Sequence, residues 1–299
     1  MTSEKKSVWW FVGSSLMFSV MSFLIRYAVY IDSFKTTLFR FSIGMAILGI
    51  LAITRKITLD FNRVGILVWR GIIGGIAVFI FYWSIPNVGL AKGTIILHSS
   101  TVFATILSVI ILKERLTLVK SVFIAVALFG LYLIVGPESI TRESIKFYDI
   151  IALGGAFFTG IAYIIIKKAR ETESAYSIFF AQSVIGFWLV LIPANLVPVK
   201  MNIGGGLILL AIGITATAGQ LMMTHAYKFS TVSTGSLISM LTPAFNLLIG
   251  LIVFREPFTA RGFTGMIVVL ISCYMVIMSD DYTRKLLGLI NANGGAPRA

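Results

Sequence analysis

Ten apolar runs follow one another along the 299 residues, each close to the roughly 20 residues that a helix needs to cross a bilayer. They fall at 8–24, 34–53, 65–84, 91–112, 118–135, 149–166, 177–197, 204–227, 232–254 and 260–278. Hydrophobic residues make up 58% of the chain and charged residues 12%, against about 25% charged in an average soluble domain. Too little polar surface remains to coat a water-soluble body. The expected class is an all-α integral membrane protein with ten transmembrane helices. The first run follows Lys5 and Lys6 as a signal peptide would, but it is long, lacks a small-x-small cleavage pattern and is followed by further spans. It is expected to stay as a helix.

The fourth run carries Thr94, His98, Thr101, Thr105 and Ser108 at steps of three or four, which places them on one helical face, and it stops at Lys113-Glu114-Arg115. The ninth run repeats the plan with Gly235, Ser239, Thr242, Asn246 and Gly250, and stops at Arg255-Glu256. Setting Glu114 on Glu256, a spacing of 142, also superposes Gly93 on Gly235, Phe103 on Phe245, Thr117 on Thr259 and Tyr132 on Tyr274. The longest polar break, 136–148, separates the fifth and sixth runs. The chain therefore divides into halves at 1–139 and 140–299 with five spans each. Five is odd, so the second half enters the membrane inverted relative to the first, a recurrent plan among secondary transporters.

The net charge of +13 is spread between apolar runs and forms no compact basic module, so it gives no reason to expect nucleic acid as a partner. With the N-terminus inside, the inner segments hold fifteen Lys and Arg and the outer ones eight, leaving Arg40 and Arg70 in or beside helices. The bias places both termini in the cytoplasm, and the cell membrane is the expected location. A membrane-impermeant thiol reagent on intact cells of a Cys273→Ser background is expected to label a cysteine placed at Ser139 and to spare one at Lys168. The opposite pattern would overturn the inverted arrangement. Cys273 is the single cysteine, which excludes an internal disulfide and a Cys-rich zinc site.

The duplicated five-helix plan, Arg40-Phe41 opening the second run, and the Glu-x-x-Thr junctions at Glu114 and Glu256 resemble the EamA-type members of the drug/metabolite transporter superfamily. That family's repeat has a Pro before the Glu and recurrent glycines in the helix after it. The second half keeps Pro243, Glu256 and Gly265; the first has Thr101, Glu114 and Phe123 at those places and retains Gly130. The resemblance covers the chain to about residue 279. It implies a ten-helix metabolite permease with a central cavity lined by the first, third, fourth, sixth, eighth and ninth helices, and no particular substrate.

Several residues are candidates for that cavity. His98 lies near the middle of the fourth run, where an imidazole either lines water and binds a ligand or bonds across to a neighbouring helix. Thr94 and Thr101 share its face. In the ninth run Pro243 removes one helical N–H, so the Ser239 carbonyl is expected to lose its partner, and Asn246 follows one turn on. The result is either a polar notch or a plain packing kink. Tyr82 and Trp83 at the outer end of the third run, Tyr163 in the sixth and Gln220 in the eighth complete the substrate-binding set. Pro243 and Gly93 are expected hinges, and Glu114 and Glu256 are expected to favour the positive ends of the helices that follow them. Gly71, Gly74 and Gly75 read as a packing stripe.

No metal-ligand spacing, nucleophile with a base or phosphate-cradling loop appears, so neither catalysis nor a cofactor is expected. The expectation is a secondary transporter, monomeric or weakly dimeric in membrane lipid, that moves a small zwitterionic, neutral or anionic metabolite such as an amino acid. A coupling proton on His98 would make transport sensitive near its unperturbed pKa of about 6.5. The alternative is a membrane enzyme or lipid-handling protein, which would need polar clusters at headgroup level, whereas the polar stripes here lie deeper.

Overall fold

The computed structural model describes residues 3–28, 30–88, 96–135, 147–196, 203–253, 255 and 259–293. Its secondary structure there is helical: α1 (Ser3–Tyr27), α2 (Ser33–Ile53), α3 (Val64–Val88), α4 (Ser100–Leu112), α5 (Leu118–Val135), α6 (Phe147–Ala169), α7 (Ala175–Leu196), α8 (Ile203–Ala226), α9 (Val232–Ile238), α10 (Leu241–Val253) and α11 (Ala260–Asn293). Among the described residues eight segments are long and apolar enough to cross a membrane, one of them the α9–α10 pair taken together. Two shorter apolar segments, Val64–Ile80 and Ile96–Leu112, fill the third and fourth places. Large apolar side chains such as Ile110, Trp188, Ile192 and Tyr274 are exposed, the surface expected against lipid.

Helix starts are set locally. Asp32 caps α2 by accepting from Phe34 and Lys35 N–H, Thr117 Oγ1 accepts from Lys120 N–H at the start of α5, and Thr259 Oγ1 from Gly262 N–H at the start of α11. Lys113 and Arg255, 142 residues apart, both adopt left-handed backbone, with φ of 55° and 51°. Lys113 terminates α4 there, with its own N–H on the Ser108 carbonyl.

Two breaks interrupt spans that read as continuous. The helical turn at Ile96 to His98 ends at Ser99, and α9 ends at Ser239 and Met240 before α10 begins. At each break a serine carbonyl accepts an i+3 bond, from Val102 N–H onto Ser99 and from Thr242 N–H onto Ser239. The Ser239 carbonyl is thus not left free as the position of Pro243 leads one to expect. Pro243 is the third residue of α10, and a proline is tolerated in a first turn because the N–H it lacks has no partner there anyway.

The most extensive packing joins α3 to α6, α5 to α11, α1 to α8, α3 and α2 to α7, α4 to α6, α2 to α8 and α1 to α10. Every one of these pairs links a helix before the 136–146 segment to one after it. The core centres on Phe11, Leu131, Ile166, Ile178, Tyr227, Leu237 and Ile238, all fully buried. Where α5 crosses α11, Gly130 and Gly265 face each other, and a Cβ on Gly130 would lie 2.9 Å from the Gly265 carbonyl oxygen. One glycine from each helix allows backbone to meet backbone. This accounts for the first half keeping Gly130 while the second keeps Gly265.

Candidate functional site

The turn between α8 and α9 is held by opposite charges from two other parts of the chain. Glu114 accepts from Val232 N–H at 2.8 Å, and from Ser233 N–H and Oγ at 3.5 and 3.4 Å. Its carboxylate therefore meets the positive end of a helix, as expected, but the helix is α9 and not the following α5, which Thr117 caps. Lys167, near the end of α6, donates to the carbonyls of Tyr227 and Ser230 at 2.9 and 2.7 Å, where α8 ends. An anion on a helix N-terminus and a cation on a helix C-terminus both stabilise. Thr231 Oγ1 adds the local cap on Thr234 N–H.

A polar cluster centres on Arg70. The residue comes from α3, is 3% exposed, and donates from Nη2 to Gln182 Oε1 of α7 at 2.7 Å. Among the described residues its Nε and Nη1 have no acceptor. The groups acting on it electrostatically are Tyr163 of α6, Arg40 of α2 and Tyr227 at the end of α8. The Tyr163 and Tyr227 rings are 5.7 Å apart, and Ser239 at the α9–α10 break, a further group acting on Tyr163, donates from Oγ to the Ser236 carbonyl. The Tyr227 hydroxyl and Arg40 Nε are buried without partners among the described residues. Gly71 and Gly75 receive the α7 side chains Ile185 and Leu189, as a packing stripe should, but Gly74 receives the guanidinium of Arg70.

The sequence candidates divide. Tyr163 joins the cluster, and Ser239 beside it gives its hydroxyl to the Ser236 carbonyl. Thr101 is fully buried and spends its hydroxyl on the Ser236 carbonyl at 3.1 Å, tying α4 to α9, while Thr105 and Ser108 bond carbonyls of their own helix. Asn246 accepts from Ser19 Oγ at 2.6 Å, which ties α10 to α1. Among the described residues Gln220, buried on α8, has no partner for Nε2, and His98, partly buried, has no hydrogen-bond partner. The side chains of Tyr82 and Trp83 lie outside the described residues, as do Gly93, Thr94 and Glu256.

Arg70, Gln182 and Tyr227 are the functional candidates that the sequence ranked low or passed over. Arg70 had a signal, since it and Arg40 are the arginines lying more than one residue inside an apolar run. A cavity of about 400 Å³ opens elsewhere, at the α6–α7 turn among Arg170, Glu171, Glu173, His225 and Lys228. Burial lowers the pKa of Arg170 there, and its Nη1 donates to the Glu173 carbonyl at 2.5 Å. That cavity is lined by turn residues and helix ends, so the buried cluster and not the cavity is the better candidate for handling solute within the bundle.

Membrane-length helices with an apolar exterior and polar groups sequestered inside define a multi-pass membrane protein of the solute-handling kind. The chain belongs to the EamA-like transporter family, whose model matches residues 5–136 and again 146–278. It is 26% identical over 267 residues to the pseudopaline exporter CntI of Pseudomonas aeruginosa, covering 88% of this chain and 92% of that protein. It is 25% identical over 259 residues to human solute carrier family 35 member G1, covering 81% and 71%. A solved crystal structure shares the fold with a TM-score of 0.80 at 14% identity, covering 95% of this chain and 99% of the other. These matches bear out the family resemblance read from the sequence, and the chain is a membrane transporter.

Proposed function

We propose that this transporter is a secondary carrier in the cell membrane, with ten spans as two inverted five-helix halves that rock about a central site. Its cargo is a small polar metabolite, zwitterionic, neutral or anionic. The observation that carries the reading is the pattern of helix pairs. Exchanging each span of the first half with its counterpart in the second turns the α1–α8 pair into α6–α3, α2–α8 into α7–α3, and α4–α6 into the α9–α10 span against α1, all of them observed. The α2–α7 and α5–α11 pairs map onto themselves. Such a two-fold pattern supports alternating access at the interface of the halves.

His98 and Asn246 sit on the fourth and ninth spans, which this symmetry also exchanges. With the coupling proton on His98, His98→Gln is expected to flatten the dependence of initial transport rate on pH in reconstituted vesicles. Asn246→Leu removes the acceptor of Ser19 and is expected to raise the half-saturating substrate concentration about tenfold, the effect of roughly 1.4 kcal/mol. An unchanged pH profile would leave His98 as a structural residue. Unchanged affinity would move the site away from the ninth span.

A further inference from the structure

We propose that the Arg70 guanidinium, seated over Gly74 and steadied by Gln182, binds the carboxylate of the transported molecule, so that the cargo is a carboxylate-bearing metabolite. This rests on the transport reading above. Arginine keeps its charge in proteins and presents five donors in a planar fork. Here one donor is met by Gln182 Oε1, whereas Nε and Nη1 are buried without acceptors among the described residues. An arginine serving only to hold α3 against α7 needs no more than the first.

The neighbours sharpen the chemistry. Arg40 adds a second buried cation, with its own Nε unmet, and the other groups acting on Arg70 are the phenols of Tyr163 and Tyr227. The unspent groups of Arg70 and Arg40 are donors, and the unpartnered Tyr227 hydroxyl can donate as well. Their complement is an acceptor-only anion, and an ionised carboxylate accepts through both oxygens. A buried charge without a counterion is costly, and the bound carboxylate supplies that counterion. Gly74 belongs to the same device, because a Cβ there would overlap Arg70 Nη1 and stand 3.2 Å from Gln182 Nε2. The colliding atom is the far end of a flexible side chain, so Gly74→Ala displaces the guanidinium without preventing the helices from packing.

The test uses the full chain, purified and reconstituted, with the twenty L-amino acids and the carboxamide of each as probes, and inorganic phosphate as a further arm. Binding is read by thermal stabilisation and transport by uptake of labelled probe. At least one acid is expected to bind about tenfold or more tightly than its carboxamide. Arg70→Gln is expected to erase that preference, Arg70→Lys to restore part of it, and Gly74→Ala to weaken the acid while leaving the carboxamide unchanged. Equal binding of acid and carboxamide, a preference that survives Arg70→Gln, stabilisation by phosphate alone, or no binding by any acid would overturn the proposal. An acid that binds through Arg70 and is never carried would overturn the transport reading and leave the site. A carboxamide carried as fast as its acid would do the reverse.

Discussion

Replacing Gly265 by leucine is expected to leave almost no monodisperse protein in detergent, while Gly130→Ala folds with a lowered melting temperature. A Cβ at Gly265 would stand 2.8 Å from both the Ile134 nitrogen and the Leu133 Cβ, besides colliding with the Gly130 carbonyl oxygen. Backbone atoms cannot swing aside, so α5 and α11 would have to separate along their whole crossing. At Gly130 an added methyl meets the Gly265 carbonyl oxygen at 2.9 Å and the ends of Val268 and Val269 at 3.0 Å, and those side chains can give a little. Overpacking a tight site costs about 1–3 kcal/mol. Gly265→Ala should lie at or above the top of that range and Gly130→Ala within it. Gly154, where an added Cβ meets nothing within 4 Å, is the control. Gly154→Ala should hold or raise the melting temperature, since alanine is the better helix former. Fluorescence-detected size exclusion and a thermal ramp on the four variants decide the matter. Equal behaviour of Gly265→Ala and Gly154→Ala would refute the close crossing.

The second large effect is expected at Glu114. Its removal leaves the Val232 and Ser233 N–H groups unmet at a buried helix start, a loss of about 1–3 kcal/mol. Glu114→Ala should therefore speed hydrogen exchange over residues 228–236 and leave the start of α5 unchanged, because Thr117 caps α5 by itself. Glu114→Gln should fall between, since an amide oxygen still accepts but brings no charge to the helix end. Lys167→Met should loosen the same turn from its other side, where the amine holds the Tyr227 and Ser230 carbonyls. Faster exchange at 118–122 instead would return Glu114 to the role its place in the sequence suggests.

That contrast shows where sequence reading reaches and where it stops. Hydropathy located the helices well: the run at 118–135 coincides with Leu118–Val135, and most others match within three residues. It lost α11 at residue 278, though the helix continues to Asn293, because apolar character ends there while helix-compatible residues go on. The breaks at Ser99 and Ser239 were invisible because the apolar composition runs straight through them, and Pro243 marked the region only from the far side. Glu114 was read as a local cap because sequence shows only neighbours, and its true partner is 118 residues away. Arg70 stands outside the topological count, with no partner to assign to it, for the same reason. Whether an arginine in an apolar run faces headgroups or a buried glutamine depends on which helix comes to lie beside it.

The predominance of pairs that cross between 3–135 and 147–293 has a consequence for how the chain is made. A ribosome adding about 5–20 residues per second needs on the order of ten seconds to travel the 112 residues from Arg70 to Gln182. Until α6 and α7 emerge, the helices already made have few of their final neighbours, and α3 holds near its start a charge that lipid disfavours. The nascent half is therefore expected to wait with α3 shallow and Arg70 at the headgroups. It can draw the arginine inward only when α6 and α7 arrive. Insertion and assembly are in this way separated in time, and the second half of the chain acts as the template on which the first takes its shape.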